Sequence, residues 1–321
     1  DIKDSVMRLP PLPTIKDILK LYGVNALKRL SQNFLLNSRL NDKFVKAAGD
    51  VTNKYVIEVG PGPGGITRSI LQKNPLKLLA IEKDERFVPF LEMLSDASNG
   101  KLSFIIGDVL SFDMSSSFPD DMKVDWDSEN YPNIHIIGNL PFSISTPLII
   151  KWLQDISEQS SAWRFGRVCL TLSFQKEVAD RIVAPVLRND RCRLSVMCQT
   201  YCKVKQHFTI RGSAFCPPPD VDAGVVTFYP LVTPHTRCPF KIYEAVVKHT
   251  FSSRQKYIKK CLKSLFPLPL QDEYVPAMLE LSGLDGRIRP YELTVSDFSK
   301  LCEAYMEVSQ NSKRIMNVAL Q

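Results

Sequence analysis

Two short segments of this chain hold the residue types that chemistry needs. The first runs Val56-Ile57-Glu58-Val59-Gly60-Pro61-Gly62-Pro63-Gly64-Gly65. Gly60, Gly62 and Gly65 satisfy G-x-G-x-x-G, and Glu82 follows Gly60 by 22 positions. Read literally, that is a dinucleotide fingerprint: backbone N–H groups for a pyrophosphate, a carboxylate for a ribose diol. Two features favour a phosphate-free ligand. Glu58 carries an acid two residues before Gly60, which repels a pyrophosphate and suits a cation. Pro61 and Pro63 stiffen the loop and remove two N–H donors. S-adenosylmethionine, a sulfonium cation carrying a ribose, meets both demands. In that reading Asp108, after Gly107, accepts from the adenine amine and Val109 packs near the ring.

The second segment is Asn139-Leu140-Pro141-Phe142, directly after an apolar run. An adenine N6 amine is a poor nucleophile because its lone pair is delocalised into the ring. The Asn139 side-chain oxygen and a neighbouring backbone carbonyl can each accept one N–H, which turns the lone pair toward a donor methyl. Phe142 offers a face on which an extruded base stacks, worth roughly 1–3 kcal/mol. A sulfonium leaves readily, so positioning carries the catalysis.

The elements that must hold these residues alternate. Tyr55–Val59, Leu76–Ile81, Leu102–Ile106 and Ile134–Ile137 read as buried strands, with helices at Gly65–Gln72 and Glu85–Leu94 between the first three. Strand–helix alternation predicts an α/β fold with a parallel sheet, whose carboxyl edge is where such folds bind ligands. Val168–Leu172 and Val221–Phe228 read as further strands, the latter an antiparallel edge partner. Helices are expected at Ser38–Ala48, Ser145–Ile156, Phe174–Ala184 and Leu194–Thr200, and one capped by Thr14 running to Tyr22. Pro234 and Pro239 bracket a linker. Beyond it Lys241–Thr250, Arg254–Leu265, Glu273–Leu281 and Val295–Met306 read as a small all-α domain. The expected division is an arm and helix over residues 1–30, a catalytic domain over 31–232 and a helical domain over 233–321.

Of 321 residues, 44% are hydrophobic and 23% charged, which excludes disorder and coiled coil as the dominant state. No apolar run reaches the roughly 20 residues of a membrane span. The eight cysteines form no C-x-x-C pair, and the Cys198, Cys202, His207 spacing fits no common zinc pattern, so neither disulfides nor a metal is expected. The N-terminal residues show no recognisable targeting peptide.

The segments Gln32-Asn33-Phe34-Leu35, Glu58–Gly65, Glu82, Gly107-Asp108, Gly138–Pro147 and Phe215-Cys216-Pro217-Pro218-Pro219-Asp220-Val221-Asp222 together resemble the ribosomal RNA adenine N6,N6-dimethyltransferases. The arm Arg8–Ile15 is most similar to the animal mitochondrial branch of that family. The resemblance covers about residues 27–305 and implies a Rossmann-like class I S-adenosylmethionine-dependent methyltransferase domain. It implies dimethylation of two adjacent adenines in the 3′-terminal hairpin loop of small-subunit rRNA, in the mitochondrial matrix, with the assembling small ribosomal subunit as partner. The mitochondrial transcription machinery is a second partner it implies. It places Asn33 and Leu35 over the methionine end of the cofactor, with Gly60, Gly62, Glu82, Lys83, Asp108, Val109 and Asn139 completing the site. Catalysis then rests on Asn139, Leu140, Pro141 and Phe142. Two residues depart from the family pattern: Asp220 stands where a basic residue is usual, and Gly224 where a small residue such as Ala is usual.

Between Ser161 and Phe215 ten basic residues face three acidic ones, equal to the whole formal surplus of +7. That concentration suggests a polyanion. Arg188, Arg191 and Arg193, with Lys203 and Lys205, are candidate RNA contacts. So is a helical run with Lys256, Lys259 and Lys260, for which the alternative is a solvated helix face. Two other functions compete. A non-catalytic transcription accessory protein would keep the fold as a nucleic-acid clamp, and an NAD-type oxidoreductase would use the glycine loop alone.

Overall fold

A computed structural model describes residues 7–14, 17, 20 and 33–319, with side chains to 310. Thr14 and Asp17 exchange cap hydrogen bonds, including Asp17 N–H to Thr14 Oγ1 at 3.3 Å; the remainder of the helix expected over 14–22 lies outside the described residues. The chain divides into two compact units: residues up to 179 with 203–232, and 180–202 with 233–321.

The first unit is a seven-stranded sheet covered by helices. Its strands are β2 (Tyr55–Val59), β3 (Lys77–Glu82), β4 (Leu102–Ile106), β5 (Ile134–Gly138), β6 (Cys169–Gln175), β7 (Cys202–Ile210) and β9 (Ala223–Pro230). The order is β4-β3-β2-β5-β6-β9-β7. β4, β3, β2, β5 and β6 run parallel; β9 is antiparallel to β6. β2, β5 and β6 are buried along nearly their whole length, as strands covered on both faces must be. Strand order reverses between β2 and β5, so their carboxyl ends open the crevice in which doubly wound sheets bind ligands. A two-stranded ribbon pairs β1 (Phe34–Leu35) antiparallel with β8 (Phe215–Cys216).

The connecting helices of this unit are α1 (Ser38–Ala48), α2 (Gly65–Gln72), α3 (Val88–Ala97) and α4 (Phe142–Glu158). Asn37 caps α1, its side chain accepting from Leu40 N–H at 3.1 Å. Phe44 and Val45 then reach the core with Val56, Ile70, Leu78 and Ile137. Gly224 has a steric reason: a Cβ there would lie 2.4 Å from that of Ala179.

The second unit is helical: α6 (Arg193–Tyr201), α7 (Phe240–Thr250), α8 (Ile258–Cys261), α9 (Gln271–Ser282) and α10 (Val295–Ala319), with α5 (Lys176–Val183) straddling the division. Its core contains Val246, Leu262, Met278, Phe298 and Leu301, each fully buried. Segment 180–202, read from sequence as part of 31–232, packs with this helical unit.

Three expectations are corrected. Phe174 and Gln175, read as the start of a helix, extend β6 because Gly224 and Ala223 pair with them. β7 has no sequence counterpart: it is an edge strand with Lys203, Lys205 and Thr209 exposed, polar enough to look like a loop. The helix expected over Arg254–Leu265 shrinks to the four residues of α8 and a 3₁₀ turn. Tyr257 is extended, and Ile258 and Lys259 N–H groups bond Ile288 and Gly286 carbonyls, so no helix can run through them from Lys256.

Candidate active site

One cavity of about 280 Å³ opens at the carboxyl ends of β2, β3 and β5, close to the lower end of the roughly 300–1,000 Å³ usual for small-molecule sites. Asn33, Leu35, Gly60, Gly62, Glu82, Lys83, Asp108, Val109, Asn139, Leu140 and Pro141 all line it. Residues far apart in sequence are therefore neighbours, as Asn139 Nδ2 shows by donating at 3.1 Å to Asn33 O, 106 positions away. Phe142 is different. It is half-buried at the start of α4, packs against the apolar core and is not among the lining residues.

The glycine loop is built by tight turns and close approach. Gly60 and Gly62 have φ of +67° and +52°, and a Cβ on Gly62 would come within 3.0 Å of the Phe34 ring. Three of the loop's amides are already spent. Gly60 N–H donates to Ile81 O at 2.9 Å, Gly62 N–H to Glu82 Oε2 at 2.9 Å and Gly64 N–H to Pro61 O at 3.0 Å. With Pro61 and Pro63 lacking N–H groups, the loop has little to give a pyrophosphate.

The electrostatics agree. Glu58, Glu82 and Asp108 line the cavity against one cation, Lys83, among the described residues. Glu58 is 1% exposed, and its Oε2 has no hydrogen-bond partner. Burial, reinforced by neighbouring Glu82, pushes its carboxyl up to about 8; Thr67 and Arg68 pull the other way. A buried acid with an orphaned oxygen suits a cation in the cavity.

Glu82 is also raised by burial, against three backbone N–H groups that favour its charged form: Gly62 on Oε2, and Lys83 and Asp84, each at 2.9 Å, on Oε1. With about four lone-pair sites on a carboxylate, it keeps acceptor capacity for a hydroxyl while pinning the loop. At the mouth, Lys83 Nζ sits 2.8 Å from Asp108 Oδ2 and holds that carboxyl below its usual range, helped by Leu110 N–H on Oδ1. These residues fit S-adenosylmethionine: a close-approach glycine loop, acids for a cation, few free amides for phosphate.

Three contributors were invisible in the sequence. Arg68 donates to four backbone carbonyls, Nε to Pro10, Nη2 to Pro11, and Nη1 to Pro63 and Gly64, at 2.7–3.0 Å. It ties the N-terminal arm to the glycine loop. The β1–β8 ribbon makes the Phe215-Cys216 stretch a brace for Phe34–Leu35, and Asn41 Nδ2 donates to Leu35 O at 3.2 Å. Ser173 Oγ lies 2.6 Å from Asn139 Oδ1.

The RNA candidates scatter. Arg188, Lys256, Lys259 and Lys260 are exposed. Arg193 pairs with Glu244 at 3.1 Å. Arg191 is 1% exposed and donates to Leu293 O, Ala184 O and Gln199 Oε1, which removes it as an RNA contact. Arg167, in the same basic window, is buried among the Trp126, Ser128 and Pro230 carbonyls. The window therefore mixes structural cations with exposed ones. Among the described residues no group of three or more His, Cys, Asp or Glu could hold a metal, and no helix is long and apolar enough to cross a membrane. All eight cysteines are free.

A parallel sheet that reverses between β2 and β5, with an antiparallel strand inserted next to the last and an acid-lined glycine-loop cavity, defines a class I S-adenosylmethionine-dependent methyltransferase. The family model for ribosomal RNA adenine dimethylase matches residues 23–274. The chain is 52% identical over 304 residues to mitochondrial dimethyladenosine transferase 1 of Bos taurus, covering 95% of this chain and 89% of that one. It is 51% identical to the Homo sapiens protein of that name (98% and 90% covered) and 46% to the Drosophila melanogaster one (95% and 91%). The crystal structure of a Plasmodium falciparum dimethyladenosine transferase superposes with a TM-score of 0.65 at 24% identity, covering 85% of this chain and 97% of that one. That of the 23S rRNA methyltransferase ErmE gives 0.57 at 19%, covering 85% and 99%. The chain belongs to the ribosomal RNA adenine dimethylase family and is an adenine methyltransferase.

Proposed function

We propose that this enzyme dimethylates N6 of two adjacent adenines in the 3′-terminal hairpin loop of mitochondrial small-subunit rRNA, in the matrix, during assembly of the small subunit. The observation that carries the reading is one cavity joining Asn139 to Glu82, Asp108 and the glycine loop. The mitochondrial assignment draws on the names of the relatives.

The donor, when bound, supplies an electrophilic methyl on a sulfonium. The rest is done by the chain. Gly60 and Gly62 let the backbone approach; Glu82 and Asp108 accept from hydroxyl and amine donors; Glu58, protonated in the folded protein up to about 8, gains its negative charge as it ionises beside a cation. Asn139 Oδ1 accepts an N–H of the target amine and so frees the nitrogen lone pair. Phe142 is assigned the stacking face for the extruded base, which requires its ring to turn from the core toward the cleft.

The test is methyl transfer to a small-subunit rRNA hairpin, alone and in the assembled subunit, with adjacent adenines or guanines. Asn139→Ala should keep donor and RNA affinity and lose on the order of 10²–10³ in kcat, the scale of one preorganised polar group. Absence of adenine-dependent transfer by wild type on either substrate would replace this reading with the nucleic-acid clamp.

A further inference from the structure

β6 alternates in a way its burial does not demand. Leu170, Leu172 and Phe174 point to one face; Cys169, Thr171 and Ser173 point to the other, where α1 packs. Thr171 and Ser173 are fully buried, and a buried hydroxyl costs stability unless it is bonded. Thr171 is accounted for within the sheet, by His135 Nε2 at 3.0 Å and Thr227 Oγ1 at 2.8 Å. Ser173 is not. Its side-chain oxygen reaches Asn139 Oδ1 at 2.6 Å. The β5–β6 ladder ends at Gly138 opposite Leu172, so Asn139 and Ser173 occupy the next rung, where the sheet gives way to the cleft.

The two partners of Asn139 together settle which way its amide points. Asn33 O, 3.1 Å from Nδ2, is a backbone carbonyl and can only accept, so the NH₂ group must face it. Oδ1 is then the atom facing Ser173, and the hydroxyl must donate. A terminal amide torsion is otherwise broad and roughly two-fold. One lone pair of Oδ1 remains for a substrate N–H.

We propose that Ser173 is a positioning residue for methyl transfer, holding Asn139 with Oδ1 directed at the target amine. This rests on the reading of Asn139 as the acceptor of that amine. Ser173 is not among the residues that line the cavity, so its loss should appear in turnover alone.

The experiment compares wild type, Ser173→Ala, Ser173→Cys, Asn139→Ala and the Asn139→Ala/Ser173→Ala double variant. Readouts are single-turnover methyl transfer, donor calorimetry and thermal melting. Ser173→Ala should lower kcat on the order of tenfold, as loss of an outer-shell hydrogen bond does at other sites, with donor affinity and melting temperature within error of wild type. Ser173→Cys, a weaker donor of similar size, should fall between. In the Asn139→Ala background the same change should do nothing. The proposal is overturned if Ser173→Ala turns over like wild type while Asn139→Ala is slow. It is equally overturned if Ser173→Ala slows both backgrounds alike, or if its loss of rate follows a loss of donor affinity or melting temperature. Full turnover by Asn139→Ala would instead remove the reading of Asn139 itself.

Discussion

At the scale of single residues, Glu58 sets a pH dependence with a definite sign. The folded protein keeps its carboxyl protonated up to about 8, through burial and the nearby Glu82, while the unfolded chain loses that proton near 4.5. The unfolded state therefore binds fewer protons between these values, and stability falls as pH rises through them. The contribution is complete below the unfolded pKa and gone above the folded one, a span on the order of a few kcal/mol. Glu58→Gln, neutral at every pH, should melt increasingly above wild type between about pH 5 and pH 9. Donor affinity should move oppositely, strengthening through about pH 8 in wild type as the acid ionises beside a cation, and staying weak and flat in Glu58→Gln. Parallel melting curves, or equal donor affinities throughout, would remove Glu58 from the site's electrostatics.

At the scale of elements, the glycine loop is a junction of three segments. Glu82 holds it from β3, the Phe34 ring covers Gly62 from β1, and Arg68 holds it from α2 while gripping the proline arm. Four carbonyls share one guanidinium, which a lysine's point charge cannot reproduce. Arg68→Ala should cost about 2–4 kcal/mol, the range for stripping a partner from several partly buried polar groups. It should also expose the arm near Pro10 to limited proteolysis and weaken donor binding, with Arg68→Lys in between. An arm as protease-resistant as wild type would show that Met7 and Leu9, packed on the core, suffice to hold it.

At the scale of the whole molecule, the surplus of +7 is a poor guide to the RNA face, because cations of the basic window are committed internally. Lys259→Glu with Lys260→Glu should weaken RNA binding and flatten its salt dependence by about one unit of slope per lost phosphate contact, leaving donor affinity unchanged. Arg191→Ala should do the reverse. It strands three acceptors inside the helical unit, so the melting temperature should drop while the salt slope per bound molecule stays put. A steepness unchanged by the lysine pair would make Lys259 and Lys260 an ordinary solvated face.

Sequence alone determined what depends on neighbours along the chain. Tyr55–Val59, Ser38–Ala48 and Gly65–Gln72 form where local patterning and capping place them, because burial on both faces writes an apolar run and an amphipathic turn writes period 3.6. The glycine loop, Glu82, Asp108 and Asn139 were legible because close backbone approach and paired acceptors restrict the residue types allowed. Tertiary structure decided the rest, wherever a residue's role is set by a partner distant in sequence. Pairing with Gly224 and Ala223 draws Phe174 and Gln175 into a strand, and carbonyls of Gly286 and Ile288 break a helix at Tyr257. Arg191 and Lys259 are both cations in sequence; enclosure by carbonyls makes one a keystone, and exposure leaves the other available. Ser173 shows the same division most plainly. Its hydroxyl acquires a role only because the register of two strands sets it one rung beyond Gly138, opposite the amide of Asn139.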